Sequence, residues 1–402
     1  MHMLARLNIG GPTAYTISLL NSLPSSCYQS LLVCGKVGRD EGDMSYLAKE
    51  KNVFTRYIPD LGRKISPLND LKSYIAIRKI IKQFKPNIIH THTSKAGAIG
   101  RFAGVTLNIS KKHNSKIKLI HTYHGHVFHS YFNPVTSYIF ILIERFLAKF
   151  TDYIIVISPK QKFDICRKYR VARPGKVRLV PLGFNLTRFT IQSNNRMKIR
   201  KKYFPQSTDS KKLVGVIGRL TKVKNHRMFL DSIKCLEEKG KVDLFKFLII
   251  GDGELKADLQ SYSNKLGISD KVVFTGWQKD MPSIYEALDI VVLTSLNEGT
   301  PVTLIEGMAA KKPIVATNVG GVSDLMGRLE LDKGNELQIT ENGMLIPTEN
   351  SKALAEALIY LTENMEEMTV TANRAKDFVF KHYSMDRLVG DIESLYSELL
   401  AE

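Results

Sequence analysis

Short apolar, β-branched runs alternate along this chain with longer stretches whose apolar positions recur at helical spacing. The short runs read as buried parallel strands and the longer stretches as helices packed over them. In the first half strands are predicted at Met3–Leu7, Ser30–Cys34, Phe54–Ile58, Asn87–His92, Lys118–Tyr123, Tyr153–Ile157 and Val177–Pro181. Helical patterns such as Thr13–Leu23 and Asp70–Phe84 fall between them. The second half repeats the rhythm at Lys212–Ile217, Lys246–Ile250, Lys271–Thr275, Asp289–Leu293, Pro313–Ala316 and Gly343–Ile346. Such alternation implies the α/β class with doubly wound, Rossmann-like parallel sheets, which take their ligands at the carboxyl ends of the strands. At 402 residues, 44% of them hydrophobic, the chain is too long for one typical domain and can bury two cores. Two such domains would face each other across a cleft. Pro181–Phe189, followed by the polar Thr190–Lys202, reads as the hinge, so domains are expected at 1–185 and 186–378, with 379–402 holding a final amphipathic helix, Tyr383–Leu400.

One segment carries most of the chemistry. After the apolar run Ile290–Thr294 comes Asn297-Glu-Gly-Thr-Pro-Val-Thr-Leu-Ile-Glu-Gly-Met308. Thr300-Pro301 reads as a helix start, a hydroxyl N-cap followed by proline at the first helical position. Gly299, Thr300, Pro301 and Thr303 would then surround free backbone N–H groups at the positive end of a helix dipole, an anion site. Glu298 lies before the cap and Glu306 about a turn and a half beyond it, with Leu304 between. Two acids flanking such a site suit a sugar nucleotide: sugar hydroxyls at one end, ribose at the other, diphosphate between. Two solvated surface glutamates would explain the spacing taken alone.

Other strand ends add to the picture. Arg219 and Lys224 follow Lys212–Ile217, and two cations there can neutralise a departing diphosphate. Gly10-Gly11 follows the first strand, Gly251-Asp-Gly-Glu254 follows Lys246–Ile250, and Gly276-Trp277 follows Lys271–Thr275. Each has a plain alternative: a tight turn for the glycines, a core position for the single tryptophan. His90-Thr-His-Thr-Ser-Lys95 and His121-Thr-Tyr-His-Gly-His126 gather five of the ten histidines at two strand ends. Zinc is one reading of such clustering, but no carboxylate or cysteine lies nearby and the spacings fit no metal pattern; buried structural histidines are another.

These motifs resemble the retaining glycosyltransferases of family 4, whose second domain carries E-G-x-P-x-x-x-x-E after its fourth strand. The resemblance covers nearly the whole chain and is strongest from Leu213 to Val322. It implies the two-domain GT-B fold, with the last helix packing back on the first domain, and a hexosyltransferase moving a sugar from a nucleotide-sugar donor, UDP-sugar favoured, to an acceptor hydroxyl with retention. It matches Arg219 and Lys224, in Gly-Arg-Leu-x-x-x-Lys, to the diphosphate pair, with Asn225 standing where glycine is usual. His124 matches the histidine beside the donor sugar. Gly10 and Gly11 match the loop that approaches the donor, Gly251 the support of the nucleotide pocket, and Trp277 the base-binding turn. His126, His129 and Lys95 are candidates to face the acceptor. Family members in envelope polysaccharide assembly use lipid-diphosphate or other glycan acceptors. The first strand is short for the family, so the chain is expected to begin inside the natural one and strand one to be poorly anchored.

Charge separates the halves. The net charge is +19, yet residues 1–185 hold 29 Lys and Arg against 9 Asp and Glu, while 186–402 are nearly balanced. Between Asp70 and Glu144 there is no carboxylate, against eleven Lys and Arg. An anionic partner of the first domain follows, with an anionic membrane surface the expected one; Arg78, Lys79, Lys82, Lys85, Lys111, Lys112, Lys116 and Lys118 are the candidates. Cys27, Cys34, Cys166 and Cys235 show neither metal nor disulfide spacing, consistent with reduced cytoplasmic thiols. No signal peptide or spanning run is visible, and Tyr138–Ile143 is expected inside a buried helix. An Asp-x-Asp pair is absent, so neither metal nor cofactor is expected. An acid-free 71–143 offers no nucleophile for double displacement, which favours same-face attack.

Rival classes fare worse. An epimerase of the same fold needs first-domain carboxylates. A nicotinamide dehydrogenase needs Gly-x-Gly-x-x-Gly, which Gly10-Gly11-Pro12 does not supply. A nucleic-acid-binding module leaves Glu298 and Glu306 unexplained, so no nucleic-acid partner is expected.

Overall fold

The computed structural model describes the chain except for residues 39–41, 63–65, 110–115, 125–133, 192–194, 206–209, 335 and 402, and the side chains of 134–136. Two compact units form: Met1–Phe184 with Tyr383–Glu402, and Asn185–His382.

The first unit is built on seven strands: β1 (His2–Arg6), β2 (Leu32–Gly35), β3 (Thr55–Ile58), β4 (Ile88–His92), β5 (Lys118–Tyr123), β6 (Tyr153–Val156) and β7 (Val177–Leu179). They are all parallel, in the order β3-β2-β1-β4-β5-β6-β7. β1 is not poorly anchored. Its residues pair His2 with Leu32 on one side and with His90 on the other, so it sits mid-sheet with both backbone edges used. Alternate residues feed two layers. Leu4 and Leu7 pack with Ile17 and Leu19, and with Leu388, Ile392 and Leu395 of the final helix Met385–Ala401. Met3 and Val33 face the other way, toward Ile77 and Ile81 of the helix Pro67–Phe84. The final helix is fastened by Arg387, whose guanidinium donates to the carbonyls of Pro181 and Leu182 at 2.9 and 2.6 Å.

The helix Pro134–Phe150 departs from expectation. Tyr138, Ile139, Leu142, Ile143, Phe146 and Phe150 are exposed, Tyr138 by 58%, instead of buried. Among its described side chains, Glu144, Leu147 and Ala148 are buried and Ile141 is partly buried against the core. Leu142, Ile143 and Phe146 form one wall of an open groove of about 670 Å³ whose opposite side includes Leu71, Tyr74 and Phe102. Among the described residues no helix is long and apolar enough to cross a membrane.

The second unit has eight strands: β8 (Lys212–Ile217), β9 (Phe245–Ile250), β10 (Val272–Gly276), β11 (Ile290–Leu293), β12 (Ile314–Thr317), β13 (Leu329–Asp332), β14 (Gln338–Thr340) and β15 (Gly343–Ile346). Their order is β10-β9-β8-β11-β12-β15-β14-β13. The last two pair antiparallel and were not expected from the pattern. β13 is exposed at every position, so no buried run marks it.

In both sheets the order reverses near the middle, between β1 and β4 and between β8 and β11. Loops leaving the carboxyl ends on either side of such a reversal diverge and leave a crevice. The loops after β1 and β4 and those after β8 and β11 carry most of the predicted site residues.

Candidate functional site

In the second unit, β8 and β11 deliver their loops side by side. Lys224 Nζ lies 2.5 Å from Glu298 Oε1, and the same oxygen accepts from Ser295 Oγ at 2.6 Å. Both side chains of the ion pair are largely shielded. The β8 loop is sewn to the β11 end by Leu296 N donating to Val223 O and Thr294 Oγ1 to Lys224 O. Asn225, next to Lys224, is left-handed at φ 47°. Asparagine tolerates that region better than most residues, so the departure from glycine keeps the turn. Arg219 projects outward, 75% exposed, with only a loose approach to Glu254 at 3.6 Å.

The Glu298 loop is held from the other side by a pair of glycines that sequence reasoning passed over. A Cβ on Gly320 would stand 1.9 Å from Glu298 O, and one on Gly321 1.8 Å from Gly299 O. Only glycine lets the β12 loop approach so closely. The signal was available as Gly320-Gly321 just past β12. Gly251 has a similar role: at φ +142°, its Cβ would meet Gly218 O at 2.0 Å, so it packs the β8 and β9 ends together. Trp277 is 71% exposed and therefore not a core residue.

The helix after Glu298 starts later than predicted. It spans Val302–Ala309 with Pro301 in the N-cap position, and no side chain caps it. The expected Thr300 cap and Pro301 first turn are thereby corrected: Pro301 is already extended at ψ 94°, and the proline ring sets φ without supplying an acceptor. The first-turn N–H groups thus lack the side-chain acceptor that a threonine cap would have supplied. Nothing lies within 4 Å of a Cβ built on Gly299, so the approach is open there. Thr303 lends its carbonyl to Tyr285 Oη at 2.9 Å, and Leu304 is buried.

Glu306, on this helix, is mostly buried. Its Oε1 accepts from Arg188 at 3.2 Å and its Oε2 from Tyr285 Oη at 3.1 Å. Burial raises its carboxyl above the usual range, and Arg188 works against that rise. Arg188 was not singled out from the sequence. It sits on the turn Thr187–Phe189 at the end of the expected hinge, with Phe189 packed edge-on against Tyr285.

In the first unit, Gly10 and Gly11 precede and open the helix Gly11–Ser22. Neither needs to be glycine for backbone reasons: Gly10 is fully extended and a Cβ on Gly11 meets nothing within 4 Å. The tight-turn explanation therefore fails, and what the pair leaves is room.

His124 stands at the end of β5 and is bonded inward: its Nε2 lies 2.9 Å from His92 Nδ1, and Tyr15 packs edge-on at 4.8 Å. Burial lowers its pKa to about 3, so the ring is neutral. His90 and His92 on β4 and His2 on β1 continue the cluster, all buried, with ligand atoms within 4.8 Å of one another. That spacing admits a metal, but the donor set holds neither carboxylate nor thiolate. Lys95, a candidate for the acceptor, pairs with Asp70 at 2.6 Å. His126, His129, Lys111 and Lys112 lie outside the described residues. Glu144 is buried with Arg101 and Tyr123, accepting at 2.8 and 2.5 Å.

Comparison with known proteins agrees with this geometry. The family described as "Glycosyltransferase Family 4" matches residues 9–188, and "Glycosyl transferases group 1" matches residues 197–395. The UDP-Gal:alpha-D-GlcNAc-diphosphoundecaprenol alpha-1,3-galactosyltransferase of Escherichia coli is 27% identical over 98% of this chain and 95% of its own length. The putative glycosyltransferase EpsD of Bacillus subtilis is 25% identical over 85% and 84%. Among solved structures, Anabaena HepE in complex with UDP aligns with TM-score 0.76 at 18% identity over 99% of each chain. A glycosyltransferase from Rickettsia africae aligns with TM-score 0.80 at 18% identity over 99% and 97%. With two family matches that between them span both units, and the GT-B architecture along its whole length, the chain belongs to the family 4 glycosyltransferases and is an enzyme of sugar transfer.

Proposed function

We propose that this enzyme transfers a sugar, with retention of configuration, from a UDP-sugar to a hydroxyl of a lipid-linked diphosphate acceptor at an anionic membrane face. The observation that carries the reading is the arrangement at the β8–β11 reversal: Lys224 bonded to Glu298, an uncapped helix start at Val302, and Glu306 about one turn on. The uncapped N–H groups and the Lys224 and Arg219 cations suit a diphosphate that gains charge as the glycosidic bond breaks. Glu306 suits the ribose diol and Glu298 the sugar hydroxyls. Gly251 and Trp277 stand at the neighbouring strand ends, where a base would lie. Gly10, Gly11 and His124 are the first unit's candidates for binding the sugar.

Retention without a metal is supported by where the carboxylates are. Asp70 is paired with Lys95 and Glu144 is buried under Arg101, so the first-unit acids bounding the acid-free stretch are committed to structure. This favours same-face attack assisted by the leaving phosphate, with the diphosphate charge neutralised by protein cations.

The acceptor class rests on the galactosyltransferase relative, whose name specifies a diphosphoundecaprenol-linked sugar. The exposed apolar face of Pro134–Phe150 and the exposed Lys79, Lys82 and Lys85 support membrane contact by the first unit, cations drawing it to anionic headgroups and aromatic and branched side chains entering the interface.

Thermal shift against UDP-, GDP- and ADP-sugars is expected to single out a uridine nucleotide. Transfer to a lipid-diphosphate acceptor should then give, by NMR, the anomeric configuration of the donor, with full turnover in EDTA. An inverted product would overturn retention, and loss of turnover restored by Mn²⁺ would overturn the metal-free course.

A further inference from the structure

The second unit holds a crevice of about 530 Å³ that none of Arg219, Lys224, Gly251, Trp277, Glu298 and Glu306 lines. It lies between the start of the helix His226–Glu238, with the turn before it, and the helix Lys256–Lys265. Lys222, Arg227 and Lys265 border it against a single carboxylate, Asp258. All four are exposed, and among the described residues none of them is in an ion pair. The Arg227 guanidinium is held at the wall by the Tyr262 ring, 4.2 Å from its centroid, and Tyr262 Oη is fixed in turn by donating to Asp231 Oδ1 at 2.6 Å.

The inner wall supplies an independent observation. His226, the first residue of its helix, lines the crevice at only 2% exposure, and neither its Nδ1 nor its Nε2 has a hydrogen-bond partner in the protein. The buried His2, His90, His92 and His124 of the first unit, also neutral, each bond through at least one ring nitrogen. Burial first, and the Lys224 charge second, lower the pKa of His226 to about 4, so its ring carries one N–H. A buried N–H without a protein acceptor is costly and calls for one from a ligand. No side chain caps the helix, and Asn225 in the N-cap position is left-handed at φ 47°. Asn225, His226 and Arg227 all line the crevice, so the positive end of the helix dipole lies there as well.

An oxyanion answers the unpaired cations, the uncapped helix start and the orphaned N–H together. Its kind follows from charge and size. Three cations against one carboxylate leave two positive charges, which a phosphate monoester nearly balances at neutral pH. The crevice is larger than a phosphate group, and Asp258 and Ser261 offer hydrogen bonds to hydroxyls. We propose that this crevice is a second anion site, separate from the donor site, that takes a sugar phosphate. The phosphate lies on His226, the helix start, Lys222 and Arg227, and the sugar hydroxyls on Asp258 and Ser261. The site depends on neither the donor nor the acceptor of the sugar-transfer reading.

The test uses the full-length protein with ¹⁵N-labelled histidine, saturated with UDP, at an ionic strength held constant with chloride. Glucose 6-phosphate should shift the His226 ring resonances saturably, inorganic phosphate should do so more weakly, and glucose alone should not. Lys224→Ala protein should still show the shift, which separates this site from the donor site even where UDP does not bind. Lys222→Ala with Arg227→Ala should raise the Kd for glucose 6-phosphate at least about tenfold and leave UDP affinity by calorimetry unchanged. In phosphate-free buffer His226→Leu should melt no lower than the native protein, because it removes an unpaired buried group, and glucose 6-phosphate should no longer raise its Tm. Absence of the His226 shift, or an unchanged Kd in the double variant, would overturn the site. Equal binding of inorganic phosphate and glucose 6-phosphate would overturn the sugar half of the ligand. A His226→Leu protein markedly less stable than the native one in chloride would show that the ring is partnered within the fold, and the proposal would fall with it.

Discussion

The two units share an architecture and spend charge in opposite ways. At the β8–β11 reversal, ionised groups are paired yet close to solvent: Lys224 with Glu298, and Arg188, itself half exposed, with Glu306. At the β1–β4 reversal the polar groups are neutral rings sealed from water, and the buried ion pair Arg101–Glu144 lies under the same sheet. The exposed Lys79 and Lys82 of the first unit lie on the helix that supplies Leu71 and Tyr74 to the apolar groove, whereas the second unit is nearly balanced in charge. Ion pairs whose cation solvent can reach, Lys224 at 24% and Arg188 at 52% exposure, can be exchanged for contacts with an anionic ligand at lower desolvation cost than the sealed Arg101–Glu144 pair. The same residue types therefore read as binding groups in one unit and as scaffold in the other.

The largest expected break in this contrast is Glu144→Ala. It leaves the Arg101 guanidinium buried without its counter-ion, and chemical denaturation should register a loss on the order of 3–5 kcal/mol. An unchanged midpoint would mean that the first unit's buried charge is not structural.

Lys224→Ala comes next. Removing a preorganised cation from the leaving diphosphate should lower kcat by about 10²–10³, more than it raises KM, as steady-state kinetics would show. Arg219→Ala should act in the same sense by a smaller factor, because its side chain is exposed and screened. A change in KM alone would make the pair binders of phosphate and nothing more.

Glu306→Ala should weaken UDP binding by roughly 1.5–3 kcal/mol in calorimetry. The fold should hardly notice, since Tyr285 keeps the Thr303 carbonyl as acceptor. Equal affinity in the variant would remove Glu306 from the ribose site.

The smallest effect per residue belongs to the membrane face. Reversal of Arg78, Lys79, Lys82 and Lys85 to glutamate should abolish flotation with anionic vesicles, at up to ~1 kcal/mol for each cation, and leave UDP affinity intact. Leu142→Ser with Phe146→Ser should weaken flotation without altering its salt dependence. Native binding should vanish well below ~1 M NaCl, where the screening length is about 3 Å. Flotation that survives the charge reversal would place the contact elsewhere.

Periodicity alone predicted the parallel strands, their alternation with helices and the class of fold, because a strand buried on both faces must be apolar throughout and a covering helix must be amphipathic. Local spacing likewise singled out Glu298, Glu306, Arg219 and Lys224 as candidates, since a loop at a strand end keeps its residues within a few positions of one another. Three things escaped it. The edge strand β13 has no buried run to announce it, and β14 is only three residues long. Tyr138–Ile143 has the composition of a core helix, and only the packing of its neighbours decided that most of those side chains face outward. Arg188 against Glu306, Gly320-Gly321 against Glu298, and Tyr396 against His2 and His90 join positions from 22 to 394 residues apart. Such contacts depend on strand order and on the return of the last helix, and pairing across the fold is not written in the spacing of any one segment.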